Sequence, residues 1–271
     1  MTIIMALLAS RRISCIGGGP TAVLVRALSS GTSLNEGIFV VGGNGFVGGA
    51  ICKKAVEMGV RVASLSRSGR PSRNEDWMDS VDWRVGDALN PQTWEEEFKR
   101  GEYTSVVGSI GAFGSDEFME RMNGDCNISA AEVAKRSDSV KRFVFISVHQ
   151  YNFPSFVLRG YFNGKRRAEK AAMDCFPEAA AILQPGMIYG TRHVPDSSTS
   201  IPLNYIGVPL ETVLETAAPL AGFPVLGPLL APPISVDVLA EAVVGAASPN
   251  SKVHGIIPVS DIKKLAQISA R

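Results

Sequence analysis

Acidic residues are missing from the start of the chain: no Asp or Glu precedes Glu36, whereas Arg11, Arg12 and Arg26 stand among Ser, Ala, Leu and Ile. Positive charge on that background is the composition of an amphipathic mitochondrial presequence. Residues 1–28 are therefore expected to act as an address, with Arg26-Ala27-Leu28 set as a matrix protease requires before a mature start near Ser29. The apolar run Ile3 to Ala9 is short for a secretory core and no positive charge precedes it; secretion or a bipartite plastid signal is the alternative reading.

Cysteine and histidine are also scarce. Cys15 would leave with the presequence, and Cys52, Cys126 and Cys175 are an odd set without metal-ligand spacing, as expected of reduced packing cysteines. His149, His193 and His254 are scattered, so no metal site is expected. No basic run occurs: taking the three N-terminal arginines from the 27 basic residues leaves 24 against 26 acids, a formal charge of −2. That balance lacks the electrostatic footprint of a nucleic-acid binder. Long apolar helices are excluded in the region from Thr191 to Pro233, where Pro195, Pro202, Pro209, Pro219, Pro224, Pro228, Pro232 and Pro233 interrupt every run. A bilayer needs about 20 uninterrupted residues, so no transmembrane segment is expected there. Residues 191–233 read instead as a small cap over a crevice. Its apolar Leu203, Tyr205, Ile206, Val208, Leu210, Val213 and Leu214 would line a pocket for a small apolar substrate, contact a partner or fill core.

What is present is an alternation of strands and helices. Ile38 to Val41 is apolar on both faces, as a buried parallel strand requires, and it runs into Gly42-Gly43-Asn44-Gly45-Phe46-Val47-Gly48. Glycines spaced GxxGxxG at a strand-to-helix turn let backbone amides approach a pyrophosphate and let the helix pack closely on the strand. Val47, Ala50, Ile51, Ala55 and Met58 then recur at helical spacing up to Gly59. Further strands are expected at Val60–Leu65, Val81–Val85, Ser105–Gly108 and Arg142–Ile146, with a helix capped at Asn90, a long helix from Phe118 to Arg136 and another beginning near Ser235. This order predicts an α/β fold with a doubly wound parallel sheet, its ligand crevice at the carboxyl ends of the strands, in one domain over residues 29–271.

Three features bear on chemistry. After the second strand, where an acid would bind the ribose of NAD, the chain reads Leu65-Ser66-Arg67-Ser68-Gly69-Arg70; a guanidinium there pairs with a 2′-phosphate, which favours NADP over NAD, and Arg67 is the better placed. Asp87, beyond the third strand, can reach an adenine amino group or cap a helix. Ser147 ends the fifth strand, and Tyr161 and Lys165 follow at i, i+4 on a helix. An ammonium beside the phenol would lower a pKa of about 10, making Tyr161 a proton donor or acceptor near neutral pH. Lys165 would also hold the nicotinamide ribose, and Ser147 would bond the substrate oxygen.

From Ile38 to Ala247 these motifs resemble the extended and atypical branch of the short-chain dehydrogenase/reductase superfamily, including Leu183-Gln184-Pro185-Gly186-Met187-Ile188-Tyr189-Gly190, similar to the branch's Leu-Arg-Pro-Gly-x-x-Tyr-Gly. The resemblance implies a Rossmann core, nicotinamide binding at Gly42, Gly43, Asn44, Gly45, Phe46, Val47, Arg67, Asp87 and Lys165, and catalytic roles for Ser147, Tyr161 and Lys165. Gln184 departs from the usual arginine, and Arg121 occupies the position often held by the tetrad asparagine, with Asn123 or Asn127 as substitutes; both departures weaken the case for catalysis more than for binding. Within the branch, the presequence, Gly160-Tyr161-Phe162-x-Gly164-Lys165-Arg166 and the proline-rich cap look like mitochondrial proteins associated with coenzyme Q biosynthesis and, more distantly, the Rossmann-fold accessory subunit of respiratory complex I. The expectation is a mitochondrial NADP-dependent oxidoreductase on an apolar carbonyl or alcohol. The alternative is a non-catalytic NADPH-binding assembly protein of an inner-membrane complex.

Overall fold

β1 (Gly37–Val41) is buried at every residue, and its alternation divides the core in two. Ile38 and Val40 join one apolar cluster, Phe39 and Val41 the other, because successive side chains of a strand point to opposite faces of the sheet. The computed structural model describes residues 37–101, 103–151, 156–193, 200–202 and 231–269. With β2 (Arg61–Ser66), β3 (Val81–Val85), β4 (Ser105–Gly108), β5 (Arg142–Ile146), β6 (Ala180–Gln184) and the last strand, β11 (Gly255–Pro258), seven parallel strands make the sheet in the order β11-β6-β5-β4-β1-β2-β3. The chain reverses its direction of travel between β1 and β4, so the loops after those two strands diverge and leave a crevice.

One face is covered by α1 (Phe46–Glu57) and by two C-terminal helices, Val236–Ala247 and Val259–Ser269. The other carries α2 (Glu95–Arg100), a long broken helix and α5 (Arg159–Cys175). Phe39 centres the second cluster, its ring 5.0 Å from Phe98, 5.1 Å from Tyr103 and 5.8 Å from Trp94. The expected helix from Phe118 to Arg136 exists but is not uniform. α3 (Asp116–Glu120), capped by Ser115 whose Oγ accepts from the Phe118 amide at 3.3 Å, passes through a π-helical turn, Arg121–Asp125, into α4 (Cys126–Lys135). The Asn90 cap is corrected: Pro91–Thr93 winds as a 3₁₀ turn, the Asn90 side chain caps nothing, and buried Trp94 separates the turn from α2.

Two short parallel strands, β7 (Ile188–Tyr189) and β10 (Ile234–Ser235), clamp the base of the proline-rich excursion. Between them β8 (Thr191–His193) and β9 (Ser200–Pro202) pair antiparallel. Leu203, Tyr205, Ile206, Val208, Leu210, Val213 and Leu214 lie outside the described residues, as do residues 1–28. α6 (Val236–Ala247), capped by Ser235, buries Val236, Leu239, Ala240 and Val243 as its spacing predicts. β11 (Gly255–Pro258) and α7 (Val259–Ser269) complete the unit; sequence reading had not separated them. No described helix is long and apolar enough to cross a membrane.

Candidate functional site

The loop from β1 to α1 is shaped by its glycines. Gly42 adopts φ +97°, a region that disfavours side chains, and its amide donates to the Leu65 carbonyl at 2.8 Å. A Cβ on Gly48 would sit 2.3 Å from the Gly42 carbonyl oxygen, so only glycine lets α1 lie this close to the strand. Gly43 serves packing as well: its Cβ would lie 2.2 Å from Ser64 Oγ and 2.9 Å from Cys52 Sγ. Val47 packs against the core cluster. α1 has no side-chain cap and no acid in its first turn. Its leading amides, at Phe46, Val47 and Gly48, therefore keep the partial positive charge of a helix start without an internal acceptor.

This helix start borders a cavity of about 510 Å³ lined by Gly42, Asn44, Gly45, Arg67, Asp87 and the Ser109–Ala112 segment, among others. Asn44 Nδ2 donates to Ser68 Oγ at 2.8 Å, tying the glycine loop to the loop that carries Arg67. Arg67 is exposed and makes no ion pair among the described residues, whereas Arg70 is engaged with Asp79 at 2.6 Å. Asp87 Oδ1 accepts from the Leu89 amide at 3.0 Å, so part of the carboxylate holds its own turn. The cradle fits a dinucleotide: the amides suit a pyrophosphate, and the glycines leave the space that side chains would fill. Phe46 lines a separate, smaller recess with Gly190 and Thr191.

The sequence singles out Asn123 and Asn127 but not the part they play in shaping the cavity floor. Asn123, in the π turn and fully buried, donates to the Ala112 and Met119 carbonyls, both at 2.8 Å; Asn127 donates to the Ile110 and Asn123 carbonyls, both at 3.0 Å. Together they fix Ile110–Ala112. The two asparagines offered as substitutes for the missing tetrad residue thus hold backbone, and Arg121 lines the cavity instead.

Lys165 lies behind that floor. Its Nζ donates to the Ile146 carbonyl at 2.8 Å and the Ile110 carbonyl at 3.3 Å and stands 4.8 Å from the centre of the Phe145 ring. Burial pushes its pKa down to about 7; Glu169 opposes that shift and Arg166 adds to it. Tyr161 corrects the expectation drawn from the i, i+4 pairing. Its pKa is raised to about 12, first by burial and then by Tyr151, with Arg166 opposing. The ammonium of Lys165 is turned to backbone carbonyls, and the phenol ring is stacked on Phe113 at 4.9 Å and 13°. Ser147 is buried at the end of β5 and donates to Glu169 Oε1 at 2.5 Å. The same oxygen accepts from Gln184 Nε2 at 2.8 Å and from Arg166. Glu169 carries no mark in the sequence, while Gln184 shows there only as a departure from the usual arginine. None of Ser147, Tyr161 and Lys165 lines the main cavity; Lys165 touches it through Ile110.

The NAD(P)H-binding family matches residues 42–192, more than half of the chain. An uncharacterized chloroplastic protein of Arabidopsis thaliana is 42% identical over 237 residues, covering 86% of this chain and 78% of that protein. MIOREX complex component 2 of Saccharomyces cerevisiae is 42% identical over 79 residues, 27% of this chain and 28% of that protein. Epimerases and reductases share the fold. The yeast methylglyoxal/isovaleraldehyde reductase complexed with NADPH superposes with a TM-score of 0.57 at 15% identity, covering 82% of this chain and 77% of that one. With the uncapped α1 start, the glycine turn and the seven-stranded order already in place, the chain belongs to the NAD(P)H-binding family and has a Rossmann fold.

Proposed function

We propose that the protein binds NADP(H) in the 510 Å³ cavity and reduces a carbonyl of an apolar molecule. The observation that carries this reading is the α1 start, uncapped by side chains, beside a cavity whose wall holds the Arg67 guanidinium, which makes no ion pair among the described residues. A bound, reduced nicotinamide supplies a hydride to the carbonyl carbon. Tyr161, protonated at neutral pH, would give its phenolic proton to the carbonyl oxygen, and the same phenol would be a poor base for the reverse oxidation until that proton is lost. Lys165, about half-protonated at pH 7, would hold the ribose without a full buried charge. Phe113, exposed and stacked on Tyr161, and Phe162, edge-on to it at 5.5 Å, offer a flat apolar surface of the kind that suits a quinone precursor.

Mass spectrometry of the nucleotide carried by the purified chain lacking residues 1–28 tests the cavity. Arg67→Ala tests the preference: NADPH affinity is expected to fall by about 10-fold or more while NADH affinity holds, as follows from a charge-assisted bond of ~1.5–3 kcal/mol. Equal weakening of both removes the NADP assignment. In a substrate screen, Tyr161→Phe should be silent, and undiminished turnover rejects the assigned acid.

A second reading is favoured by one observation: the Ser147 hydrogen is already given to Glu169, leaving Ser147 only acceptor lone pairs for a substrate. In that reading the bound nucleotide stabilises a structural or assembly protein, and the likeness to a MIOREX complex component supports such a partner. Co-purification with a complex and rescue by Lys165→Ala would favour it. Residues 1–28 are read as an organelle address and 191–233 as a cap. The likeness to a chloroplastic protein over most of the chain supports a plastid destination, and the acid-free, arginine-bearing start of the chain keeps the mitochondrion as the other. Imaging of residues 1–35 fused to a fluorescent protein separates the two, and diffuse fluorescence would discard the address.

A further inference from the structure

Arg121 opens the π-helical turn that joins α3 to α4, and it lines the same cavity as Arg67. Two of its acidic neighbours on the helix are engaged elsewhere: Glu120 pairs with Arg167 at 3.2 Å, and Asp125 pairs with the other nitrogen of the same guanidinium at 2.9 Å; Glu117, one turn back, makes no ion pair with Arg121 among the described residues. Arg121 itself is exposed and makes no ion pair among the described residues. The cavity is thus lined by two arginines without carboxylate partners and one acid, Asp87, whose Oδ1 is bonded to the Leu89 amide. Cys126 lines the cavity too, and the charges of Asp87, Asp125, Arg121 and Arg67 all bear on its thiol, which places both guanidiniums around this one stretch of wall. Two unpartnered guanidiniums on one concave surface repel each other, and an anion between them relieves the repulsion.

We propose that Arg121 is a second clamp on the 2′-phosphate of NADP(H), acting from the helix side of the cavity while Arg67 acts from the end of β2. This inference rests on the NADP(H) reading of the cavity and extends it to a residue whose position in the superfamily usually serves the catalytic tetrad. The departure at Arg121 is then a specificity determinant rather than a defect. The π turn supports the role, because an extra residue in the winding changes the direction in which the preceding side chains project, and such turns gather at functional sites.

Titration calorimetry of the presequence-free protein with NADPH, NADH, adenosine 2′,5′-bisphosphate and AMP tests it. Arg121→Ala should weaken NADPH and the bisphosphate roughly 10- to 100-fold, the fold-change of one charge-assisted contact, and leave NADH and AMP unchanged. Arg121→Lys should restore part of the loss, since an ammonium keeps the charge without the bidentate fork. Weakening of NADH and NADPH alike would overturn the inference in favour of stacking on the adenine, and so would no change with any probe. If the unmodified protein binds neither dinucleotide, the cavity reading itself fails. If it binds both, with Arg67→Ala but not Arg121→Ala selective for the phosphate, only the second clamp is lost.

Discussion

A lysine buried behind the cofactor cavity gives the protein an inverted dependence on pH. Lys165 titrates near 7 when folded and near 10.5 when unfolded, so between those values the unfolded chain holds the extra proton and stability rises with pH. Below about 7 both states are protonated and the full cost of the buried ammonium is felt. Lys165→Met removes that titration. Urea unfolding at pH 6, 7, 8 and 9 should show wild-type stability climbing and the variant's curve flatter, a difference of order a few kcal/mol at most; parallel curves would refute the depressed lysine. Tyr161 acts in the opposite sense, since its raised folded pKa erodes stability only above about pH 10, outside this window. The residue types of this pair and their spacing were legible in the sequence, but their electrostatics were not. Spacing of i, i+4 shows which side chains share a helix face, whereas the proton affinities follow from burial and from partners such as Glu169 and Tyr151 on other turns and loops.

At the scale of elements, the turn from β1 into α1 was readable almost residue by residue, because three glycines, an apolar strand and an amphipathic helix state the same geometry. Gly48→Ala should break it. A methyl group 2.3 Å from the Gly42 carbonyl oxygen forces α1 from the strand, at a cost of about 1–3 kcal/mol typical of overpacking, and nucleotide binding should fall with stability in denaturation and calorimetry. An unchanged midpoint would mean that α1 can shift without cost. The broken helix was only half legible: apolar spacing located it, while its π turn has no compositional mark. Asn123 gives that turn its purpose, through bonds to Met119 and Ala112 that no local pattern foretells. Asn123→Ala should cost about 1–3 kcal/mol, since it strands buried carbonyls, and should loosen Ile110–Ala112 in hydrogen exchange; unaltered protection there would assign the floor to Asn127 alone. β11 escaped notice because Gly-Ile-Ile-Pro is four residues long and ends in a strand breaker.

For the whole molecule, binding and folding are linked. A nucleotide that recognises only the folded state adds about 2.7 kcal/mol when present at 100 times its Kd, so NADPH should raise the melting temperature whether or not any substrate turns over. Absence of a shift at saturating NADPH would contradict the cavity assignment at its broadest. The strand order carries a further consequence. β1 emerges early, yet it lies mid-sheet, paired on one side with β2 and on the other with β4. While the polypeptide grows from its N-terminus, the flank of Ile38 to Val41 that will meet Ser105 to Gly108 stays bare for more than sixty residues of synthesis. That interval, rather than the finished fold, is when the nascent protein most needs shielding against pairing with another strand.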